Sequence, residues 1–305
     1  MQAAPPRHQQ AQSVRTLAAM EGFASCACLV VGDVMLDSFV YGAATRVSPE
    51  APIPVFSSQQ ETMMPGGAGN VLRNLVTLGG QGQLAGVIGR DAAGTSLEGL
   101  LQAMPGAAAH LVPESGRLTP HKTRYIAGGQ QLLRVDHEDA QPITAETQEA
   151  LVAQCREILP RHRVLILSDY AKGTLPPPLL QALMAEAMEA GVAVLVDPKQ
   201  WNIALYAGAT VLSPNESEMA AFHHGPFASE SAMIAAARDW CQTYDIGAIA
   251  ITRGAHGMVL VDRQGLRADI PAIARDVYDV SGAGDTAVAA LALGVAAGLE
   301  LDEAL

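Results

Sequence analysis

The sequence predicts an α/β fold: three α/β/α layers around a mostly parallel central sheet, with a small second β-sheet beside it. Three observations lead there. Short apolar runs alternate along the chain with stretches of helical periodicity, the pattern of a parallel sheet covered by helices on both faces. Polar groups fall just beyond several of these runs, at Asp33, Asp169, Asp197, Asn215 and Arg253. The carboxyl ends of the strands are where an open parallel sheet binds its ligands. Residues 38–60 and 119–134 break the alternation; rich in Val, Tyr, Thr, Gln and Gly, they read as extended strands of an accessory sheet.

In chain order, residues 1–22 are mostly polar, contain Pro and Gln, and lack the apolar run of a secretory signal, so they are expected to form a flexible leader. Residues 23–305 are expected to form the core domain. Apolar runs predict strands over 28–34, 84–88, 164–168, 193–196, 210–212, 248–252 and 258–261. Between them, helical spacing predicts helices over 68–78, 95–104, 146–159, 177–189, 216–221, 231–244 and 285–297. The helix over 146–159 gathers Leu151, Cys155, Ile158 and Leu159 on one face, and the last helix spaces Ala287, Leu291, Val295 and Leu299 as a buried helix does. A Pro-Ile-Pro segment at 52–54 and a Gly128-Gly129 turn punctuate the two extended stretches.

With 305 residues and 49% hydrophobic content the chain can bury a sizeable core. A net charge of −12 argues against a surface for polyanions, so neither nucleic acid nor an anionic membrane is an expected partner. The longest apolar stretches contain glycine or charge and are too short to span a bilayer. Cysteines at 26, 28, 155 and 241 give no disulfide framework, and their apolar surroundings read as core packing rather than as metal ligands. A reduced, cytoplasmic protein is expected.

The chemistry concentrates in residues 276–286, which end Val280-Ser-Gly-Ala-Gly-Asp-Thr286. Gly282 and Gly284 permit a sharp turn into the last long helix, whose first amides and dipole make an anion hole of Gly282, Ala283 and Gly284. Asp285 beside such a hole is suited to take a proton from a hydroxyl while the amides stabilise a phosphoryl group in transfer. The plainer alternative is a first-turn partner for the helix dipole. No Gly-x-x-x-x-Gly-Lys-Ser/Thr string or protein-kinase signature occurs, so a nucleotide would be held by other loops. Asn215 and Glu218, three apart at a helix start, suit either a hydrated metal with a phosphate chain or a capping box.

These strings resemble those of a known family. Val280 to Thr286 resembles the C-terminal signature of the ribokinase-like sugar kinases, Pro65-Gly-Gly-Ala-Gly-Asn-Val71 its N-terminal sugar-binding glycine motif, and Ser213-Pro-Asn-Glu-Ser-Glu218 its Asn-x-x-Glu segment. Within the family, Gly32-Asp-Val-Met-Leu-Asp37, residues 46–55, Leu133-Arg-Val-Asp136 and Ser168-Asp-Tyr-Ala-Lys-Gly173 look most like bacterial heptose 7-phosphate kinases. The resemblance implies a ribokinase-like fold in which residues 38–60 and 119–134 form a lid over the sugar and a homodimer contact. It implies Asp285 as the catalytic base, and ATP held by Asn215, Glu216, Ser217, Glu218, Arg253, Gly254 and Gly257. Mg²⁺ would be bound through water by Asn215 and Glu218, with a monovalent cation as a further cofactor.

On the sugar side, the expected contacts are Asp33, Gly67, Asn70 and Asp169. Asp33 and Asp169 end apolar strands, where a carboxylate needs hydrogen bonds from a polyol or from the following turn. A substrate that already carries a phosphate needs cations, and Arg90, Arg124, Arg134, Lys172 and Lys199 adjoin these elements. The implied reaction is ATP-dependent phosphorylation of D-glycero-β-D-manno-heptose 7-phosphate at the anomeric O1, a step towards ADP-heptose and lipopolysaccharide. The alternatives are another kinase of this fold, acting on fructose phosphate, ribose or a nucleoside, and a noncatalytic sugar-binding protein. The chain has no His-x-Gly-His string, so only the phosphorylation is expected of it. It also ends soon after the helix that follows Asp285, which leaves the adenine contacts open.

Overall fold

The computed structural model describes residues 15–272 and 282–305. The central sheet has nine strands: β1 (Ala27–Gly32), β4 (Gln81–Gly89), β5 (Ala107–Glu114), β8 (Val164–Ser168), β9 (Ala193–Asp197), β10 (Val211–Leu212), β11 (Ala248–Thr252), β12 (Met258–Asp262) and β13 (Gly265–Ile270). Their spatial order is β13-β12-β11-β10-β9-β8-β1-β4-β5. All pairings from β5 to β11 are parallel, and β12 and β13 add an antiparallel hairpin at one edge. Parallel pairing needs crossovers, and the helices supply them.

Side chains alternate across the sheet into two cores. On one face Leu165 and Leu167 of β8 pack with Leu151 and Cys155 of α3 (Ala145–Ile158), Leu180 of α4 (Pro177–Glu189), Met219 of α5 (Glu216–Phe222) and Met233 of α6 (Glu230–Thr243). On the other, Val164 and Ile166 meet Leu72 and Leu75 of α1 (Ala68–Thr77), Leu97 of α2 (Ala92–Gln102) and Leu291 of α7 (Ala283–Ala296). The short α8 (Leu301–Ala304) packs on α7, where Gly294 lets Ala304 approach. All four cysteines are free and buried in these cores, and burial pushes the thiols of Cys28 and Cys155 up to about 12.

The second sheet has four strands, β2 (Val34–Val47), β3 (Pro54–Gly67), β6 (His121–Ala127) and β7 (Gln130–His137), in the order β3-β2-β6-β7. The two irregular stretches thus form one separate sheet, with bounds wider than the sequence predicts. β2 begins two residues after β1 ends, and β3 runs directly into α1. β5 and β13 are strands the sequence reading does not predict. Both are edge strands of alternating or weak apolarity, Ala-Ala-Ala-His-Leu-Val-Pro-Glu and Gly-Leu-Arg-Ala-Asp-Ile, without a continuous buried run. Most of the predicted helices are displaced by one to three residues at their starts, where a cap sets the boundary: Asp91 accepts from Gly94 N–H, and Ser229 from Ala232 N–H.

Candidate active site

Asp285 lies in the first turn of α7 and is almost entirely buried. Asn70 Nδ2, from the first turn of α1, donates to its Oδ2 at 2.5 Å, and the Tyr170 hydroxyl donates to its Oδ1. Burial raises the carboxyl above the ordinary aspartate range. The bonds from Tyr170 and Asn70 oppose this, the charge of Asp37 adds to it, and Arg73 offsets it. Such a group is a better proton acceptor than a solvated carboxylate, provided that it is ionised at the working pH.

Two hollows flank the start of α7. The smaller, about 400 Å³, lies under the small sheet and is lined by Met35, Asp37 and Phe39 of β2, Met64 and Gly67 of β3, Asn70 and Arg73 of α1, Lys122 and Arg124 of β6, Arg134 of β7, Tyr170, Gly282 and Asp285. The period of two along β2 turns Met35, Asp37 and Phe39 to the same side. Cross-strand register extends that face in two rows, Met64-Asp37-Lys122-Asp136 and Thr62-Phe39-Arg124-Arg134. Arg124 bonds Asp37 at 2.6 Å and lies over the Phe39 ring. Lys122 bridges Asp136 and Glu138, and Arg134 also pairs with Asp136. Arg73 alone of these cations has no ion-paired carboxylate among the described residues; its guanidinium donates to the Met64 sulfur at 3.6 Å and acts on Asp285 through its charge.

The larger hollow, about 610 Å³, is lined by Asn215, Glu216 and Ser217 at the start of α5, Thr252, Gly254 and Gly257 after β11, Met258, Ile270, Pro271 and Ala272, and Ala283, Gly284 and Ala287 of α7. The N-terminus of α7 is therefore shared: its Asp285 faces one hollow and its Ala283 and Gly284 line the other. The first amides of a helix have no intrahelical acceptor, so this end can meet an anion between the two. Gly282 sits at φ 80°, and a Cβ there would lie 2.8 Å from Asn70 Nδ2, so both backbone conformation and space require glycine. The motif residues from Asp276 to Ser281 fall outside the described residues.

The hollows bring together Gly67, Asn70, Arg124, Arg134, Gly282 and Asp285 on one side, and Asn215, Glu216, Ser217, Gly254, Gly257, Ala283 and Gly284 on the other. Other predicted site residues fall elsewhere, for physical reasons. Asp33, expected against a sugar, is buried and accepts from the backbone N–H groups of Tyr170, Lys172 and Thr174 at 2.8, 3.0 and 2.9 Å. Asp169 is also buried; it accepts from Gln200 Nε2, the Tyr206 hydroxyl and Ala171 N–H. Both carboxylates organise the turn after β8, and neither lines the hollow. Arg90 is exposed and donates to Ser115 Oγ. Lys172 pairs with Glu138, one ion pair removed from Lys122. Lys199 pairs with Glu218, next to the larger hollow's α5 rather than beside the smaller hollow. Arg253 is buried between Glu230 and Asp269 and bonds His256 O, bracing the loop whose glycines line the larger hollow.

Asn215 and Glu218 form a reciprocal capping box, Asn215 Oδ1 accepting from Glu218 N–H and Glu218 Oε2 from Asn215 N–H. Glu218 Oε1 faces Lys199 Nζ at 3.0 Å, and no cluster of three or more His, Cys, Asp or Glu suited to a metal occurs among the described residues. With its capping oxygens already committed, the pair fits a hydrated ion carried with phosphates, not an all-protein cage.

Sequence reasoning missed Asp37, Arg73, Lys122 and Tyr170 as lining residues. For Asp37 a signal existed, because it alternates with Met35 and Phe39. Arg73 lies three residues after Asn70 and so shares its helix face. Lys122 and Tyr170 depend on cross-strand register and on the fold of the turn after β8, which no local pattern discloses.

A mostly parallel α/β sheet, a small separate sheet over one hollow, and a buried carboxylate at a shared helix N-terminus define a class, the ATP-dependent carbohydrate kinases. Residues 27–305 match the model of the pfkB family carbohydrate kinases, and the chain belongs to that family. Curated relatives include a bifunctional protein HldE of Acidiphilium cryptum, 43% identical over 286 residues, covering 94% of this chain and 59% of the relative. The bifunctional protein HldE of Caulobacter vibrioides is 46% identical over 283 residues, covering 92% and 58%. The chain thus spans less than two thirds of these relatives' length. Among solved structures, phosphofructokinase-2 of Escherichia coli in complex with substrates and products superposes with a TM-score of 0.74 at 20% identity, covering 92% and 89% of the two chains. Arabidopsis thaliana ribokinase complexed with ribose and ATP gives 0.67 at 18%, covering 92% and 88%. These two share the fold.

Proposed function

We propose that the chain transfers the γ-phosphoryl group of ATP to the anomeric O1 of D-glycero-β-D-manno-heptose 7-phosphate, giving the 1,7-bisphosphate on the way to ADP-heptose. The observation that carries this reading is the cation-lined hollow on the Asp285 side of α7. A sugar that already bears a phosphate suits it better than a neutral one, and a phosphoryl group of about −1.5 to −2 charge needs local cations in a chain of net charge −12. The motif resemblance to heptose 7-phosphate kinases and the similarity to the HldE proteins select the sugar.

In this reading Asp285 takes the hydroxyl proton as the sugar oxygen forms its bond to phosphorus, the bond from phosphorus to the ADP oxygen breaks, and ADP leaves. The amides at the start of α7 stabilise the charge on the moving group. Asn70 holds the base, and Asp37 is placed for a sugar hydroxyl. Arg73, Arg124 and Arg134 take the resident phosphate. ATP lies along Asn215–Ser217 and the Gly254–Gly257 turn. Asn215 and Glu218 would hold Mg²⁺ through water, and the ion would supply neutralisation of phosphate charge; a monovalent cation would be a further cofactor.

The small sheet acts as a lid and as the contact of a homodimer. All eight residues of β7 are exposed, among them Leu132, Leu133 and Val135, an apolar edge that a second copy would cover. No helix among the described residues is long and apolar enough to cross a membrane; with the acidic charge and thiol-form cysteines, a cytoplasmic location is the reading. The test is ATP consumption over a panel of free and phosphorylated sugars. Heptose 7-phosphate should lead, and a higher kcat/KM on ribose, fructose 6-phosphate or a nucleoside would replace the substrate assigned here. No turnover on any sugar would favour a noncatalytic binder.

A further inference from the structure

The turn after β8 is built around one carboxylate. Asp33 accepts three backbone N–H groups from residues 170, 172 and 174, and the backbone N–H of Asp33 itself donates to Ser168 O at 3.1 Å. Ala171 within this turn is at φ 53°, the left-handed region, stabilised by its N–H bond to Asp169 Oδ1. A loop with this much internal fixation, in a protein whose substrate must enter beside it, is built to present something. What it presents towards the hollow is Tyr170, whose hydroxyl reaches Asp285 Oδ1.

We propose that Tyr170 is a positioning residue for the base: its hydroxyl orients Asp285 and favours the ionised carboxylate, and Asp33 sets Tyr170 by holding the turn. This rests on reading Asp285 as the base. The two donors divide the carboxylate, Tyr170 on Oδ1 and Asn70 on Oδ2. With an oxygen pinned from each side, rotation about the terminal torsion is blocked, and a lone pair stays aimed at the hydroxyl to be deprotonated. Burial and the nearby charge of Asp285 both push the Tyr170 phenol upward, so it stays a donor throughout the working pH range. The charged groups that act on Asp285 among the described residues are Asp37 from β2 and Arg73 from α1, and Asp285 in turn acts on Asp197 at the end of β9. Asp37 opposes ionisation of Asp285 and Arg73 favours it, while Asp197 is itself held protonated by burial and by the charge of Asp285. Of the groups that favour it, Tyr170 and Asn70 are in hydrogen-bond contact.

The sign follows directly. A donor to the ionised form lowers the carboxyl's pKa, so removing it raises that pKa and moves the acid limb of the kcat/KM profile to higher pH. For Tyr170→Phe the limb should move by about one to two pH units, with kcat reduced, the KM for ATP nearly unchanged, and the far-UV spectrum and Tm close to wild type. The ¹³C resonance of the Asp285 carboxyl in the free protein should titrate upward by the same amount, a readout that needs no turnover. Asp33→Asn should shift both in the same direction, because an amide keeps one acceptor oxygen and its NH₂ cannot accept the N–H group or groups left on the other side, so the turn that sets Tyr170 loosens. Asp285→Asn is the control. If it keeps near-wild-type turnover, Asp285 is not the base and both readings fall. If it is inactive, yet Tyr170→Phe moves neither the limb nor the resonance, the base stands and Tyr170 only packs.

Discussion

The two hollows at the start of α7 are of opposite character. The smaller is walled by charge, with Asp37, Arg73, Lys122, Arg124 and Arg134 around Asp285, much of it delivered by the small sheet. The larger is walled by backbone and apolar groups, with Gly254, Gly257, Met258, Ile270, Pro271 and Ala287, and it belongs to the central sheet and its helices. Charged walls discriminate by what they leave unpaired, and here a ligand lacking its phosphate leaves Arg73 without an anion, whereas Lys122, Arg124 and Arg134 keep their carboxylates. Apolar and glycine-rich walls discriminate by shape and admit any flat base with a phosphate chain. Selectivity for the acceptor should therefore reside in the small sheet, and general nucleotide use in the central one.

The sharpest test of that division is the group the two sides share. Asp285→Asn should reduce kcat by about 10²–10⁴-fold while changing either KM by little, since it removes a proton acceptor and not a wall. A loss confined to one KM would mean that Asp285 belongs to one hollow only. Arg73→Ala comes next. Its guanidinium has no competing carboxylate among the described residues, so its loss should raise the KM for the phosphorylated sugar about 10- to 100-fold and leave the KM for ATP alone. The unphosphorylated sugar should lose only the smaller part that comes from weaker support of the ionised Asp285; equal losses on both sugars would remove Arg73 from the phosphate.

On the other side, Gly257 sits at φ 83°, and a Cβ there would come within 2.0 Å of Ile270 O. Gly257→Ala should displace the turn and raise the KM for ATP by about five- to thirtyfold, from about 1–2 kcal/mol of backbone strain. The acceptor KM should be unaffected, and a matching rise there would show that the hollows are coupled. The smallest effect is expected at the outer edge of the small sheet. Leu133→Glu should halve the mass seen by light scattering if β7 forms the dimer contact, with turnover within about twofold. An unchanged mass would place the contact elsewhere.

The pattern of apolar runs was enough to place the parallel strands and the helices between them, because both are buried on a strict period. The edge strands escaped it because β5 and β13 are half-exposed and have no such run. At the site, the glycine motifs and Asp285 were legible, since their chemistry is local to a turn and a helix start. Of the two partners the sequence allows Asp33 and Asp169, a polyol or the following turn, the hydrogen bonds seen are those of the turn. A carboxylate at a strand end is satisfied by whichever donors arrive first, and here the chain's own amides arrive. Arg90 shows the same limit: position after a strand says nothing of side-chain direction. Lys122 and Tyr170 were invisible because each gains its meaning from a partner on another element, Asp136 through sheet register and Asp285 through the turn after β8.

The root of the β2–β3 hairpin has a mechanical consequence. Val34 pairs with Gly67, Ala68 N–H bonds Asp33 O at 2.9 Å, and α1 starts where β3 stops. The hairpin thus has no loose connection at its base, and any movement of it would be that of a rigid lever rather than of a tethered flap. Two residues beyond its fulcrum stands Asn70, gripping the base, and on the opposite arm stands Asp33, gripping the turn of Tyr170. Any torque on the blade would be delivered to both grips on Asp285 at once, whether from a ligand drawing in Arg124 or from the second copy proposed at β7.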